Sequence, residues 1–178
     1  MKHVKIYEDF SIDKYGDLQS NFHLEKIQKL KTNPNYDDIV VAIDTSSSNS
    51  GDFLKALLMQ IMILAKKSNT DRVHIIYCSD DIDGVDVIDV KSGASPDLTK
   101  WSTTGGNKKG FIPPFEYIWS QGINPSAFVY LTDTAGQMPT TRDFVKYGIE
   151  DYEDYLYWCV DGGVIYEMPE FGEILMLP

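Results

Sequence analysis

The stretch Ile39-Val40-Val41-Ala42-Ile43-Asp44-Thr45-Ser46-Ser47-Ser48 is an apolar run that ends in one carboxylate and a ladder of hydroxyls. Its apolar part is short, β-branched and without alternation, the pattern of a strand buried on both faces. Asn49, Ser50, Gly51 and Asp52 follow as turn and helix-start residues. Residues 53–64 are apolar nearly all round, as suits a helix buried against a sheet. Asp44, Ser46 and Ser48 therefore stand on the loop leaving the carboxyl end of a central strand, where open α/β sheets bind ligands.

A carboxylate with hydroxyls two and four residues beyond it offers hard oxygen donors on one side of a loop. Magnesium or manganese accepts such a set, with waters completing the coordination. The same residues also read as a Ser-rich loop whose Asp caps the next helix. The spacing, D-x-S-x-S, resembles the metal-ion-dependent adhesion site of von Willebrand factor type A (VWA) domains. A similar I-D-T-S opens some actin-like sugar kinases and tRNA-modification proteins, but those continue into a hairpin strand rather than a long apolar helix.

The 178 residues form most simply one domain, and a 43% hydrophobic, 12% aromatic composition suffices for a full core. The net charge of −11 disfavours nucleic acid and anionic membrane surfaces, both of which require a basic face. A basic protein partner is electrostatically compatible with it. Cys78 and Cys159 each sit in an apolar, strand-like run and read as buried free thiols of a reducing compartment. Charged residues follow Met1, with no apolar signal core and no span long enough for a bilayer, so a cytoplasmic location is expected.

Residues 1–37 read as an extension packed on a main domain of residues 38–178. Val4-Lys5-Ile6-Tyr7 suits a short edge strand, and residues 22–30 carry apolar positions near helical spacing. Asn33-Pro34-Asn35 breaks the chain before the central strand. Arg72-Val73-His74-Ile75-Ile76-Tyr77-Cys78 is a second strand, and the alternating residues 85–90 suit its hairpin partner at a wet edge. Asp80, Asp81, Asp83, Gly84 and Asp86 read as a solvated acidic turn, with calcium the lesser alternative because the twelfth-position Glu of a helix–loop–helix site is lacking. In Thr103-Thr104-Gly105-Gly106-Asn107-Lys108-Lys109-Gly110 the glycines have phosphate-loop spacing, but Phe111 stands where that loop needs Lys. Phe111-Ile112-Pro113-Pro114-Phe115 then starts a helix, prolines first.

Ala127-Phe128-Val129-Tyr130-Leu131 is a third buried strand ending in Thr132-Asp133. In a parallel sheet Asp133 emerges at the same edge as Asp44, and two such acids call for a cation or a proton between them. We expect the two carboxylates to face each other there. Residues 155–160 make a fourth core strand, and the acidic residues 150–154 read as a solvated loop or, more sharply, a docking patch.

In order, these stretches resemble the VWA-like domain found at the C-terminus of bacterial proteins described as predicted metal-dependent peptidases. The resemblance rests on Asp44-Thr45-Ser46-Ser47-Ser48, Phe111-Ile112-Pro113-Pro114-Phe115, Thr132-Asp133, Gly136-Gln137-Met138-Pro139, Trp158 and Phe171-Gly172-Glu173. It spans roughly residues 38–178. It implies a doubly wound α/β fold, a mostly parallel central sheet with helices on both faces. It also implies a magnesium or manganese site from Asp44, Ser46, Ser48 and Asp133, with Thr132, Thr134 and Asn107 on a partner-binding rim. The family's glycine-rich segment places a ligating Thr two residues before the Phe, and here that position is Lys109. A protonated lysine cannot ligate a cation. Lys109 would then replace the metal between the carboxylates, or Thr103 or Thr104 would supply the ligand from a rearranged loop.

The expected function is a non-catalytic protein-interaction module in which a partner's Asp or Glu completes the metal site. The resemblance implies an AAA-type ATPase as one such partner. A metal-dependent hydrolase is the alternative, but His3, His23 and His74 lack H-E-x-x-H spacing and Ser46 and Ser48 lack the G-x-S-x-G turn. A third reading, an acidic mimic of nucleic acid, rests on net charge alone.

Overall fold

The computed structural model describes residues 5–7, 25–46, 51–97, 110–160 and 165–177, with the backbone alone at 5–7, 25 and 51–53. The strands are β1 (Lys5–Tyr7), β2 (Asp38–Asp44), β3 (Arg72–Cys78), β4 (Ile82–Asp89), β5 (Pro125–Thr132), β6 (Leu156–Val160) and β7 (Glu173–Met176). The helices are α1 (Gly51–Lys67), α2 (Pro113–Ser120) and α3 (Thr141–Lys146). One seven-stranded sheet has the order β1-β7-β6-β5-β2-β3-β4. Among the described residues only the β3–β4 hairpin is antiparallel, and every other neighbouring pair is parallel. This is the doubly wound α/β architecture expected from the sequence.

Period-two alternation divides the buried strands between two cores. Ile39, Val41, Ile43, Val73, Ile75, Val129 and Leu131 face α1, which buries Leu54, Leu57, Leu58, Ile61, Leu64 and Ala65. Val40, Ala42, Ile76, Phe128, Tyr130 and Trp158 face the other way, against Phe111, Phe115 and Ile118 before and on α2 and Phe144 on α3. Because α1 has a sheet on one side only, its burial is one-sided and Met59 stands 57% exposed. Cys78 and Cys159 fall in different cores, on opposite faces of the sheet, as buried thiols outside any disulfide. Burial pushes the Cys159 thiol up to about 12.

Helices on opposite faces let β2 connect to β3 on one side while the chain returns to β5 on the other. The crevice between the carboxyl ends of β2 and β5 is thus the topological switch point of the sheet. Before β2, residues Glu25–Lys29 form a 3-10 helix, and the start of the helical spacing read over 22–30 lies outside the described residues. It buries Ile27 in the α1 core, while Gln28 hydrogen-bonds Gln60 of α1. No helix among the described residues is long and apolar enough to cross a membrane.

The F-x-P-x-F motif is an aromatic anchor. Phe111 meets Tyr130 edge-on at 5.5 Å and Trp158 at 6.1 Å, while Phe115 packs 4.9 Å from Phe128. Such pairs add to their area burial. The closing motif has an equally local cause: the Trp158 indole N–H donates to the Phe171 carbonyl at 2.9 Å. Gly172 follows at φ +83°, where a Cβ would lie 3.0 Å from the Leu156 carbonyl and from Trp158 Nε1. Backbone sign and space both demand glycine there. Gly172→Ala is therefore expected to destabilise the fold by ~1–3 kcal/mol, read as a lowered thermal midpoint by circular dichroism. An unchanged midpoint would contradict this packing.

Candidate functional site at the carboxyl edge of the sheet

Residue Asp44 ends β2 with no solvent exposure. A buried carboxyl group needs hydrogen-bond donors, and it has them on both oxygens. The Thr132 hydroxyl, at the end of β5, donates to Oδ2 at 2.9 Å. The Ser46 amide donates to Oδ1 at 3.0 Å, and the Ser46 hydroxyl donates to the same oxygen. The parallel register that pairs Ile43 with Leu131 brings the Thr132 hydroxyl to Asp44. Beneath them, the buried Tyr130 phenol lies 3.4 Å from Cys78 Sγ. That phenol is held well above its ordinary pKa, first by burial, then by Cys78, and also by the Asp44 charge.

The loop after β5 is braced from within. The Thr134 amide donates to Thr132 Oγ1 at 2.9 Å, and the Tyr166 amide donates to Thr134 Oγ1 at 2.8 Å. Thr134 adopts φ +61°, a left-handed conformation uncommon for a β-branched residue. Both Thr132 and Thr134 are fully buried. These two residues, expected on a partner-binding rim, spend their hydroxyls on holding Asp44 and the loop. Asp133 leaves the same sheet edge, half-exposed, and its Oδ1 accepts the Ala135 amide at 2.9 Å. Across the crevice Asp44 meets Thr132, the residue before Asp133, so the sheet edge is shared as expected while the facing side chain is a hydroxyl.

A contact that the linear sequence hides joins this site from the hairpin. The Thr45 hydroxyl donates to Asp83 Oδ2 at 2.8 Å, and Ser79 lies 3.3 Å from Asp83 Oδ1. Asp83 and Asp86 belong to β4, so the acidic turn expected at 80–86 is shorter and part of it is strand. The sole hint in the sequence was an acid cluster just past β3, at the sheet edge that β2 shares.

Ser48, Thr103, Thr104, Asn107 and Lys109 lie outside the described residues. The glycine-rich segment re-enters at Gly110, which forms a parallel bridge with Gln137, and the Phe111 amide donates to the Gln137 carbonyl at 3.3 Å. Its end is thus tied to the loop that carries Asp133. Among the described residues no group of three or more His, Cys, Asp or Glu side chains is arranged to hold a metal ion. Hydroxyl-based coordination is of a different kind. Because the Ser46 hydroxyl gives its proton to Asp44, its lone pairs remain for a hard cation, and the described part of the donor set fits magnesium or manganese.

A second polar cluster occupies the opposite edge. Arg72 grips Asp38 through two nitrogens at 2.9 and 3.1 Å, and His74 Nε2 lies 2.9 Å from the same carboxylate. His74 is buried, and its Nδ1 has no hydrogen-bond partner among the described residues.

Removing the Thr132 hydroxyl takes a donor from a buried carboxyl group, so Thr132→Val is expected to cost ~1–3 kcal/mol while Thr132→Ser costs less. Urea unfolding checks this, and a valine variant as stable as the native chain would contradict the role given to Thr132.

Compared with known families, residues 39–149 match the VWA-like domain (DUF2201), and the chain belongs to that family. The matched span runs from β2 to just beyond α3 and contains Asp44, Ser46, Ser48, Thr132 and Asp133. No curated protein and no solved structure matches the chain.

Proposed function

We propose that this VWA-like chain is a non-catalytic protein-interaction module that holds magnesium or manganese at the carboxyl edge of its sheet. Asp44, Ser46, Ser48 and Asp133 would hold the ion, and an Asp or Glu side chain of a protein partner would complete the site. One observation carries the reading: a fully buried carboxyl group at the switch point, held by a cross-strand hydroxyl and by the hydroxyl of a D-x-S motif. A bound cation supplies attraction for an incoming carboxylate, which neutral hydroxyl ligands leave largely intact. The chain's own residues do the positioning. Thr132 fixes Asp44, Asp44 orients Ser46, and Thr134 locks the loop that carries Asp133.

Three features support an interaction role over hydrolysis. The Ser46 hydroxyl donates to Asp44 rather than to an imidazole, and His74 is engaged with Asp38 at the far edge. The third is the family itself. An AAA-type ATPase is the partner class that the resemblance brings to this proposal. A second reading rests on the substitution of Lys109 for the ligating Thr: an internal ammonium takes the cation's place.

Calorimetric titration of EDTA-stripped protein with magnesium and then manganese tests the proposal. Binding is expected, weakened at least tenfold, or ~1.4 kcal/mol, by Ser46→Ala and by Asp44→Ala. Silence toward both ions in the native chain would contradict the metal reading. Binding gained in Lys109→Thr would then assign the cation's place to Lys109.

A further inference from the structure

At the amino edge of the sheet, a cavity of about 250 Å³ lies between the end of α2 and the segment that follows α3. Gly122 and Asn124, which border it, precede β5, whereas Asp44 and Thr132 lie at the other ends of their strands. The length of β5 separates the two places by roughly 23 Å. Trp119, Tyr147 and Tyr152 supply aromatic walls, and Asp151 supplies a carboxylate. Trp119 stands 58% exposed although it is large and apolar, and it meets Tyr147 edge-on at 6.3 Å. A Cβ placed on Gly148 would lie 3.6 Å from Asp151 Oδ2 and 3.8 Å from Trp119 Cδ1. Carboxylate and indole therefore converge over a bare glycine, whose φ of +63° favours that residue.

Two further observations point to a cationic ligand. The Tyr152 hydroxyl is buried and has no hydrogen-bond partner among the described residues. Tyr152 borders the cavity, so a small shift of its ring would offer this hydroxyl to an incoming N–H donor. Tyr147 already carries a cation on its ring: Lys146 Nζ lies 4.7 Å from the ring centroid and donates to the Tyr147 hydroxyl at 2.8 Å. The surroundings are acidic, with Glu150 and Asp154 exposed beside Asp151, and the chain carries a net charge of −11.

We propose that this cavity binds the guanidinium of an arginine presented by a basic segment of a protein partner. The planar guanidinium stacks on aromatic faces and forks onto a carboxylate, which a compact ammonium does less well. The volume equals that of roughly eight liquid waters, room for a guanidinium and its stem. Exposed tryptophan beside a polar rim is also the composition of interface hot spots. Charge complementarity selects the partner: a basic peptide is attracted, whereas a phosphate-bearing ligand is repelled. Burial, and then the Asp151 charge, raise the Tyr152 pKa, so the phenol stays neutral as the cation arrives. The site is independent of the metal reading, because it shares no residue with it.

The test is nuclear magnetic resonance of the ¹⁵N-labelled full chain in EDTA, following the Trp119 indole N–H, assigned with Trp119→Phe. The probes are a capped Gly-Gly-Arg-Gly-Gly peptide and its citrulline counterpart, which keeps the shape and loses the charge. Arginine is expected to shift the Trp119 signal in a saturable manner at millimolar peptide. Citrulline should bind about tenfold more weakly, and Asp151→Asn should weaken the arginine peptide to a similar degree. Equal shifts from both peptides, no shift with arginine, or indifference to Asp151→Asn would overturn the proposal. Asp151 is exposed, so the variant should keep its fold, and its unchanged remaining spectrum checks this. Ser46→Ala should leave the titration unaltered, which separates this site from the metal.

Discussion

A carboxyl group with no solvent exposure needs hydrogen-bond donors on both of its oxygens, and the organisation of this sheet follows from providing them for Asp44. One donor comes from the next turn of chain, through Ser46, and the other from a strand 88 residues further on, through Thr132. The cross-strand donor fixes β2 against β5 at the point where the connections diverge. That register in turn decides where the loop of Asp133 begins. Thr134 accepts the cost of a left-handed backbone to keep the loop in place and ties it to Tyr166. Such a conformation persists only where the surroundings hold it, and the bonds through Thr132 and Tyr166 do so here.

The aromatic face of the sheet does the corresponding work for the second loop. Phe111 and Phe115 are fully buried against Tyr130, Phe128 and Trp158, so the glycine-rich segment has a fixed end at Gly110. The bridge from Gly110 to Gln137 then joins it to the β5 loop. Packing on one face of the sheet thereby determines which loops meet at its edge. At the opposite edge the chemistry differs: the Asp38, Arg72 and His74 cluster closes the ends of β2 and β3, while tryptophan, tyrosine and a carboxylate surround a cavity beside β5.

Much of this was legible in the sequence because fully buried strands are continuous apolar runs with polar ends. β2, β3, β5 and β6 announce themselves in that way, and β4 by alternation. Asp44 and Asp133 could be assigned to one edge because the sheet is parallel. Which side chain faces which could not, since that depends on the register between strands distant in sequence. The bracing roles of Thr132 and Thr134 stayed out of sight for this reason. Asp83 was hidden similarly, as a member of an acidic turn whose strand begins earlier than its alternation suggests. α3 is six residues long and buries only Phe144, too little for a helical period to show. In the acidic segment, Tyr152 is buried among exposed acids, which charge alone would not reveal.

The account turns on Asp44 organising a cation site at the switch point. Paramagnetic broadening by sub-stoichiometric manganese, read on assigned backbone amides, tests this most directly. The account predicts selective loss of the Ser46, Asp133 and Ala135 signals, with those of Arg72 and His74 at the far edge retained. Broadening centred on the Asp80–Asp89 hairpin, or none at all, would contradict it.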